Sequence, residues 1–326
     1  MTSLLGIHHV TAIASDPQRN LDFYTRVLGL RFVKRTVNFD DPGTYHFYFG
    51  DEVGTPGSIL TFFPWPGARP GRPGPGQVAV TSFAAVPGAL GFWIEQLIRH
   101  NIRYEGPITR GAGADAERVL AFPDPDGLLL EIVAHASAES RPVWANAPGI
   151  PAAHALHGFH AVTMWVEQGE ATERVLTDTL GFRPVREDGT MRRYALGAGG
   201  ASRLVDVRTT GGFLRGVESA GTVHHVAWNV PDDDVQRSAR ERVAVAGLEP
   251  TPVIDRKYFR SVYFREPGGV LFELATAGPG FAIDEPAERL GKHLMLPAQY
   301  EPRRAEIEAG LPPIHLPEPD PAARYA

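Results

Sequence analysis

The chain repeats itself, and this repeat limits which folds it can adopt. The segment GIHHVT begins at Gly6, and the similar segment GFHAVT begins 152 positions later, at Gly158. The same offset places LGL, from Leu28, over LGF, from Leu180, without a gap. Each copy shows a strand-like segment, an amphipathic helix that ends at Leu-Gly, and a second strand. Such a repeat predicts the duplication of one structural unit.

A second repeat links the remaining parts of the two halves. FPDPDGLLLEIV contains Glu131, and the similar FREPGGVLFELA contains Glu273, 142 positions later. Both run from a Pro/Gly turn into an apolar strand that carries one acid. Upstream, the register places Val78-Ala79-Val80 over Val223-His224-His225, 145 positions later. The second and fourth quarters of the chain are therefore expected to share one structure.

Together the repeats predict an α+β protein built from four βαβββ modules. We expect these modules near residues 5–65, 77–136, 157–210 and 221–277. Because the linker SAESRPVWANAPGIPAAHALH separates two halves, we predict two domains of two modules each, at 1–145 and 152–280. The tail, 281–326, is expected to contain one helix in EPRRAEIEAG.

Composition excludes several classes of protein and site. The 326 residues carry a formal charge of -6 and no basic run, which argues against a nucleic-acid partner. The chain has no cysteine, so a metal site must use His, Asp, Glu and water. No apolar segment is long enough for a transmembrane helix, and no N-terminal signal pattern is present. We expect a cytoplasmic protein without a membrane partner.

By strand geometry alone, the first His pair cannot bind one ion with both rings. Adjacent residues of a strand point to opposite faces, so His8 and His9 are expected on different sides of the sheet. The third module keeps the first histidine as His160 but has Ala161 in place of the second. His9 is therefore the candidate ligand.

The fourth module also contains an HH dipeptide, and its second histidine is the counterpart of His9. Its His225 lies where the second module has Val80, and its Glu273 aligns with Glu131. Two histidines and one carboxylate form the set that suits ferrous iron and oxygen chemistry, whereas structural zinc normally takes four ligands. The residues alone do not exclude Mn²⁺, Zn²⁺, Co²⁺ or Ni²⁺. We interpret Glu131 as a strand acid left from the duplication.

These motifs resemble the vicinal oxygen chelate superfamily, which includes glyoxalase I, drug-resistance proteins and extradiol dioxygenases. The two HH dipeptides, the late Glu and the tail LGKHLMLPAQYEPRRAEIEAGLPPI are most similar to its ring-cleaving branch, the hydroquinone 1,2-dioxygenase type. The resemblance implies two tandem domains, each a cup of curved mixed sheet with helices outside. It also implies that the first and fourth modules share a cup in which His9, His225 and Glu273 bind Fe(II).

The family pattern assigns further residues to the surroundings of the metal. Residues like His8, Thr11 and His224 lie around the site as polar or acid–base partners. For the two histidines the alternative is a second-layer or packing role, which the retained His160 supports. His46, on an alternating strand, could line the cup, although ordinary strand packing is the simpler interpretation.

Two residues of IDRKYFRSVYF match positions that the pattern places near the substrate. Arg256 could stabilise a phenolate, and Tyr263 could transfer a proton. A surface arginine and a core-facing tyrosine are the alternatives, and Arg260 competes with Arg256 for the role.

We therefore expect a non-haem Fe(II) dioxygenase of the extradiol type that inserts O₂ into a hydroquinone-type or catechol-type ring. One alternative is a glyoxalase-like isomerase or lyase with Zn²⁺ or Ni²⁺, but such sites generally use two His and two Glu, and the fourth acid is missing. The other is a non-catalytic drug-binding resistance protein, although such proteins are usually about half as long. The expected partners are a small aromatic substrate and O₂, and edge strands could support a homo-oligomer.

Overall fold

Two curved eight-stranded mixed sheets, with helices on their outer faces, form the α+β architecture that the sequence predicted. The computed structural model describes residues 4–316. Each module supplies four strands and one principal helix in the order βαβββ.

The first two modules contain β1 (Gly6–Ala14), α1 (Pro17–Asp22), β2 (Arg31–Val37), β3 (Tyr45–Gly50), β4 (Ile59–Pro64), β5 (Gln77–Ala85), α2 (Leu90–Arg99), β6 (Glu105–Arg110), β7 (Glu117–Pro123) and β8 (Leu129–Ala134). The other two contain β9 (Phe159–Val166), α3 (Gly169–Arg174), β10 (Arg183–Asp188), β11 (Met191–Ala195), β12 (Leu204–Thr209), β13 (Val223–Val230), α4 (Asp233–Val245), β14 (Ile254–Asp255), β15 (Arg260–Arg265) and β16 (Leu271–Thr276).

Each sheet combines one module from each half of the chain. The first sheet has the strand order β14-β15-β16-β13-β1-β4-β3-β2, and β1 and β13 pair antiparallel at its centre. The second sheet has the order β10-β11-β12-β9-β5-β8-β7-β6, with β5 and β9 in the equivalent pair. The first and fourth modules thus share a sheet, as the resemblance implied. The predicted halves, 1–145 and 152–280, each contribute one module to each sheet.

Local sequence signals explain the first helix. The side chain of Asp16 accepts a hydrogen bond from the backbone N–H of Arg19, which satisfies one of the unpaired donors at the helix start. The helix continues through a π-helical turn, Phe23–Val27. It ends at Gly29, whose φ of +65° is the left-handed conformation that glycine adopts most readily. The predicted stop at this glycine is confirmed.

Large buried side chains fix the sheets against their helices. Trp93 of α2 and Trp228 of β13 are fully buried, and the ring of Phe182 packs edge-on against Trp228 at 5.1 Å. Burying a large apolar side chain stabilises a fold by about 1.5–3 kcal/mol. The packing of Trp228 therefore stabilises β13, which carries the second histidine pair.

The C-terminal tail packs against the first module. Lys34 of β2 is fully buried, and its Nζ lies 2.7 Å from Asp284 and 2.6 Å from Glu285. The tail helix, α5 (Arg304–Gly310), lies in the segment predicted to be helical, and residues 317–326 of the predicted tail lie outside the described residues.

No helix within residues 4–316 is long and apolar enough to cross a membrane. The expected cytoplasmic location, the absence of a nucleic-acid partner and the homo-oligomer stay predictions.

Candidate metal centre

Two β-bulges lie at the histidine pairs. The pairing of β1 with β13 shifts register between Ile7 and His9, which leaves His8 as the extra residue. A second shift in the same pairing leaves His224 as the extra residue of β13. Because a bulge interrupts the alternation of side chains, the strict alternation expected for adjacent residues does not hold at either pair.

The bulges bring the two rings of each pair into contact. Nδ1 of His8 lies 2.9 Å from Nδ1 of His9, and Nδ1 of His224 lies 2.7 Å from Nδ1 of His225. Each contact needs one donor and one acceptor. When the second histidine donates, its Nε2 keeps the lone pair that a metal requires. The first histidine of each pair is therefore placed to fix the tautomer of the second.

The electrostatics of the first histidines suit this acceptor role. Burial and the adjacent His9 lower the pKa of His8 to about 3, and burial and the adjacent His225 lower the pKa of His224 to about 4. Both rings are neutral near pH 7 and can accept a hydrogen bond. His8 lies behind the cavity against Phe259, at 4.9 Å between ring centroids.

The three predicted ligands converge on one point. Nε2 of His9 lies 3.2 Å from Nε2 of His225, although the two residues are 216 positions apart. Oε2 of Glu273 lies 3.2 Å from the first of these nitrogens and 2.9 Å from the second. All three residues are buried, and their ligand atoms lie within 4.8 Å of one another. The pairing of β1 with β13, and of β13 with β16, creates this arrangement.

The donor set fits a divalent cation. Oε2 of Glu273 is buried without a hydrogen-bond partner, while Oε1 accepts a hydrogen bond from Ser261 at 2.5 Å. Burial opposes ionisation of Glu273, but the neighbouring His9 and His225 outweigh it and hold the pKa of this carboxyl well below its usual range. Burial lowers the pKa of His225. A buried carboxylate with one unpaired oxygen carries a negative charge that a bound cation would compensate.

A cavity of about 230 Å³ opens above the ligands, and most of its wall is aromatic. The lining residues are His9, Thr11, Asn38, Phe39, Asp40, His46, Tyr48, Phe63, Trp65, His224, His225, Arg256, Phe259, Tyr263 and Leu271. The cavity therefore includes six of the predicted site residues, whereas His8 and Glu273 lie behind its wall.

Arg256 and Tyr263 lie side by side at the cavity. The ring of Tyr263 meets the ring of His225 edge-on, with centroids 5.6 Å apart. The guanidinium carbon of Arg256 lies 5.5 Å from the centre of the Tyr263 ring, and one of its nitrogens lies 3.0 Å from Asp40. Burial raises the pKa of Tyr263, so its hydroxyl keeps its proton at neutral pH. The competing Arg260 forms an exposed ion pair with α4 instead.

A chain of hydroxyl and imidazole groups leads away from the ligands and was missed by sequence reasoning. Oγ1 of Thr11 lies 3.0 Å from Nε2 of His225 and accepts a hydrogen bond from Thr61 at 3.0 Å. Nε2 of His46 lies 2.8 Å from the Thr61 hydroxyl, and its Nδ1 lies 2.9 Å from the hydroxyl of Tyr48. Burial lowers the pKa of His46 well below its usual range. His46 lines the cavity rather than serving ordinary strand packing alone.

The second sheet has an ion pair where the first has its three candidate ligands. Glu131 accepts two hydrogen bonds from the guanidinium of Arg110, at 2.5 and 2.9 Å, and one from Ser82 at 2.8 Å. Ala161 and Val80 stand at the positions of the ligand histidines. Within residues 4–316, no second group of three possible ligands is close enough to hold an ion. An arginine thus compensates the acid that the duplication left behind.

Known proteins are similar to this chain in both sequence and fold. Residues 6–132 and 158–274 match the family model of the Glyoxalase/Bleomycin resistance protein/Dioxygenase superfamily. The Bacillus subtilis (strain 168) protein MhqO, whose name describes a candidate ring-cleaving dioxygenase, is 47% identical over 97% of this chain and 98% of its own length. The chlorohydroquinone/hydroquinone 1,2-dioxygenase of Sphingobium indicum is 35% identical over 93% of this chain and 94% of its own.

Solved structures agree with these matches. A crystal structure described as a candidate dioxygenase from Bacillus subtilis superimposes with a TM-score of 0.91 at 46% identity, covering 98% of this chain and 100% of its own. Glyoxalase I from Zea mays gives a TM-score of 0.59 at 14% identity, over 83% of this chain and 92% of its own. The second likeness concerns the fold alone.

Proposed function

The chain belongs to the Glyoxalase/Bleomycin resistance protein/Dioxygenase superfamily, and we propose that it is a non-haem Fe(II) dioxygenase that cleaves a dihydroxylated aromatic ring. The proposed substrate is a hydroquinone-type ring, with a catechol-type ring as the variant, and the reaction is of the extradiol type. One observation carries the proposal: His9 and His225, which line a cavity that also has aromatic walls, converge with Glu273 directly behind them. The names of the two relatives support ring cleavage.

The three converging side chains would hold the metal, and the two-His, one-carboxylate set leaves further coordination positions for a ring oxygen and O₂. When bound, Fe(II) supplies the redox chemistry that O₂ requires and favours ionisation of a ring hydroxyl. The same donors also suit Mn²⁺, Zn²⁺, Co²⁺ and Ni²⁺, so the choice of iron is part of the proposal.

The walls of the cavity orient the ring and exclude water. Phe63 and Trp65 stack on one another, with ring centroids 6.1 Å apart and planes inclined by 15°. Phe259 packs against the ring of His9 at 5.1 Å. Flat apolar walls of this kind favour an aromatic substrate and hold it in one orientation above the ligands.

Two polar side chains can stabilise negative charge and donate a hydrogen bond. Arg256 is a permanent cation at the cavity and can stabilise negative charge on a ring oxygen. Tyr263 keeps its hydroxyl proton at neutral pH because burial raises its pKa, so the hydroxyl can donate a hydrogen bond to a reacting oxygen.

Thr11 is placed to donate a hydrogen bond into the site. A metal ligand needs the Nε2 lone pair of His225, so this nitrogen cannot donate to Thr11. The Thr11 oxygen instead accepts its hydrogen bond from Thr61, which can in turn accept from His46. The hydroxyl hydrogen of Thr11 is then free for an oxygen in the cavity, and neutral His224, beside the ligand, is a second group that can move a proton.

A glyoxalase-like isomerase would need a fourth protein ligand. Asp40 is the one carboxylate among the described cavity-lining residues, and it pairs with Arg256. The geometry therefore favours the dioxygenase over the isomerase, and an intact ligand set favours an enzyme over a non-catalytic drug-binding protein.

Oxygen consumption tests the proposal. The protein is loaded with Fe(II) under nitrogen and then assayed in an oxygen electrode with hydroquinone, catechol and a methylglyoxal–thiol adduct. We expect O₂ consumption with hydroquinone, and none after loading with Zn²⁺. Oxygen-independent conversion of the thiol adduct, without O₂ consumption on the aromatic rings, would contradict the proposal.

A further inference from the structure

We propose that Asp40 makes the cavity selective for dihydroxylated rings without an acidic substituent and against rings that carry a carboxylate. The inference rests on the proposed function, because it concerns which aromatic ring reaches the ligands. Asp40 would act on substrate choice at the mouth of the cavity and take no part in the reaction itself.

The charges at the mouth support this role. Among the described lining residues, Arg256 carries the one permanent positive charge and Asp40 is the one carboxylate. They lie 3.0 Å apart, with exposed side-chain fractions of 20% for the arginine and 73% for the aspartate. A ring carboxylate would be attracted to the guanidinium, which binds carboxylates in a bidentate manner. Asp40 occupies this partner and repels a second carboxylate.

The second sheet shows that the ion pair is not a fixed property of the repeat. By strand pairing, Arg110 stands at the position of Arg256. Arg110 lies two residues after Ile108, which pairs with β7, and Arg256 lies two residues after Ile254, which pairs with β15. Arg110 binds Glu131 within its own sheet. In the first sheet the equivalent acid, Glu273, faces the histidines, so Arg256 has its partner in Asp40, which belongs to another module.

The loop that carries Asp40 is held in place. The backbone N–H of Asn38 donates to the carbonyl of Thr44 at 2.8 Å, and the N–H of Asp40 donates to the Asn38 side chain at 3.0 Å. From the tail, the hydroxyl of Tyr300 donates to the carbonyl of Phe39 at 2.7 Å. These contacts hold the backbone around Asp40, and the ion pair with Arg256 places its carboxylate at the mouth.

Stability does not explain the pair. Ion pairs in which one partner is largely exposed contribute little to folding. The substitution Asp40→Asn keeps the size of the side chain and should leave the melting temperature unchanged. A change in ligand preference can then be assigned to the lost charge.

The test compares the wild type with Asp40→Asn and with the control Asp234→Asn. Asp234 lies on α4, has a side-chain exposure of 86% and is not among the residues that line the cavity, so its substitution changes net charge equally. Hydroquinone and 2,5-dihydroxybenzoate are titrated into each Fe(II)-loaded protein under nitrogen, which gives dissociation constants without turnover. Oxygen-electrode assays then give kcat/KM for both rings.

We expect Asp40→Asn to raise the affinity for 2,5-dihydroxybenzoate, relative to the affinity for hydroquinone, roughly tenfold over the wild type. Asp234→Asn should change neither value. Suppose that the wild type turns over hydroquinone but that the ratio of the two dissociation constants is the same in Asp40→Asn as in the wild type. This result would overturn the charge selection and leave the proposed function intact. A wild type that consumes no O₂ with hydroquinone would overturn the proposed function instead.

Discussion

Ser261 donates a hydrogen bond to Oε1 of Glu273 at 2.5 Å, from β15 to the neighbouring β16. This contact uses one carboxylate oxygen and leaves the other, Oε2, facing His9 and His225. Partners of this kind orient a ligand before the metal arrives.

Removing the hydroxyl of Ser261 should therefore weaken metal binding. We expect Ser261→Ala to reduce Fe(II) affinity about 10–100-fold, because the carboxylate of Glu273 is then free to rotate. Anaerobic competition with a chelator measures the change. Ser82→Ala, which removes a hydroxyl donor to Glu131 in the second sheet, is the control and should keep wild-type affinity. Equal affinity in Ser261→Ala and the wild type would show that the contact does not orient the ligand.

The two histidines of the first pair should behave differently. His9→Ala removes a ligand and is expected to abolish Fe(II) binding. His8→Ala removes only the Nδ1 partner of His9 and should reduce affinity about 10–100-fold. Chelator competition measures both, and His160→Ala, in the second sheet, is the control. If His8→Ala loses the metal while His9→Ala keeps it, the assignment of ligand and partner is reversed.

Arg110 and Glu131 form the ion pair of the second sheet, and losing one partner should destabilise the fold more than losing both. Glu131 is 4% exposed, and Arg110→Met leaves its charge without a partner. We expect a loss of about 3 kcal/mol in the free energy of unfolding, measured with urea. The double variant Arg110→Met/Glu131→Gln should recover most of this loss, because no buried charge remains unpaired. A double variant as unstable as the single one would argue against this explanation.

Asp124 should make stability depend on pH. Burial raises the pKa of this carboxyl from 3.8 to about 6. Between these values the folded chain binds a proton that the unfolded chain lacks, so the free energy of unfolding falls as pH rises, by up to about 3 kcal/mol. Asp124→Asn keeps the acceptor for the N–H groups of Asp126 and Leu128 but cannot ionise.

Urea unfolding of both proteins at pH 4 and at pH 8 measures this contribution. The free energy of unfolding of Asp124→Asn minus that of the wild type should be larger at pH 8 than at pH 4. A stability difference between the two proteins that stays constant across this range would contradict the raised pKa.

The sequence was sufficient for the modules and for singling out the three side chains that the fold brings together, because both are visible in the internal repeat. Comparing Ala161 with His9, and Val80 with His225, distinguishes an equipped position from an empty one without any structure. The partnership of the first and fourth modules came from the resemblance, since no local signal states that β1 pairs with β13.

The remaining features depend on long-range register and on loops. The bulges at His8 and His224 arise from the pairing of two strands far apart in sequence. Strand alternation alone predicts that the two rings of each pair point apart, whereas in the structure they are in contact. The chain from Thr11 through Thr61 to His46 requires the alignment of three strands. Asp40 lies in a loop, where no periodicity indicates the direction of a side chain.

The stoichiometry of Fe(II) binding tests the central claim most directly. Anaerobic equilibrium titration is applied to the wild type, to His9→Ala, His225→Ala and Glu273→Ala, and to the control Glu131→Ala. We predict about one Fe(II) per chain in the wild type and in the control, and no binding in the three ligand variants. Wild-type binding in any ligand variant would contradict the assignment of this metal centre.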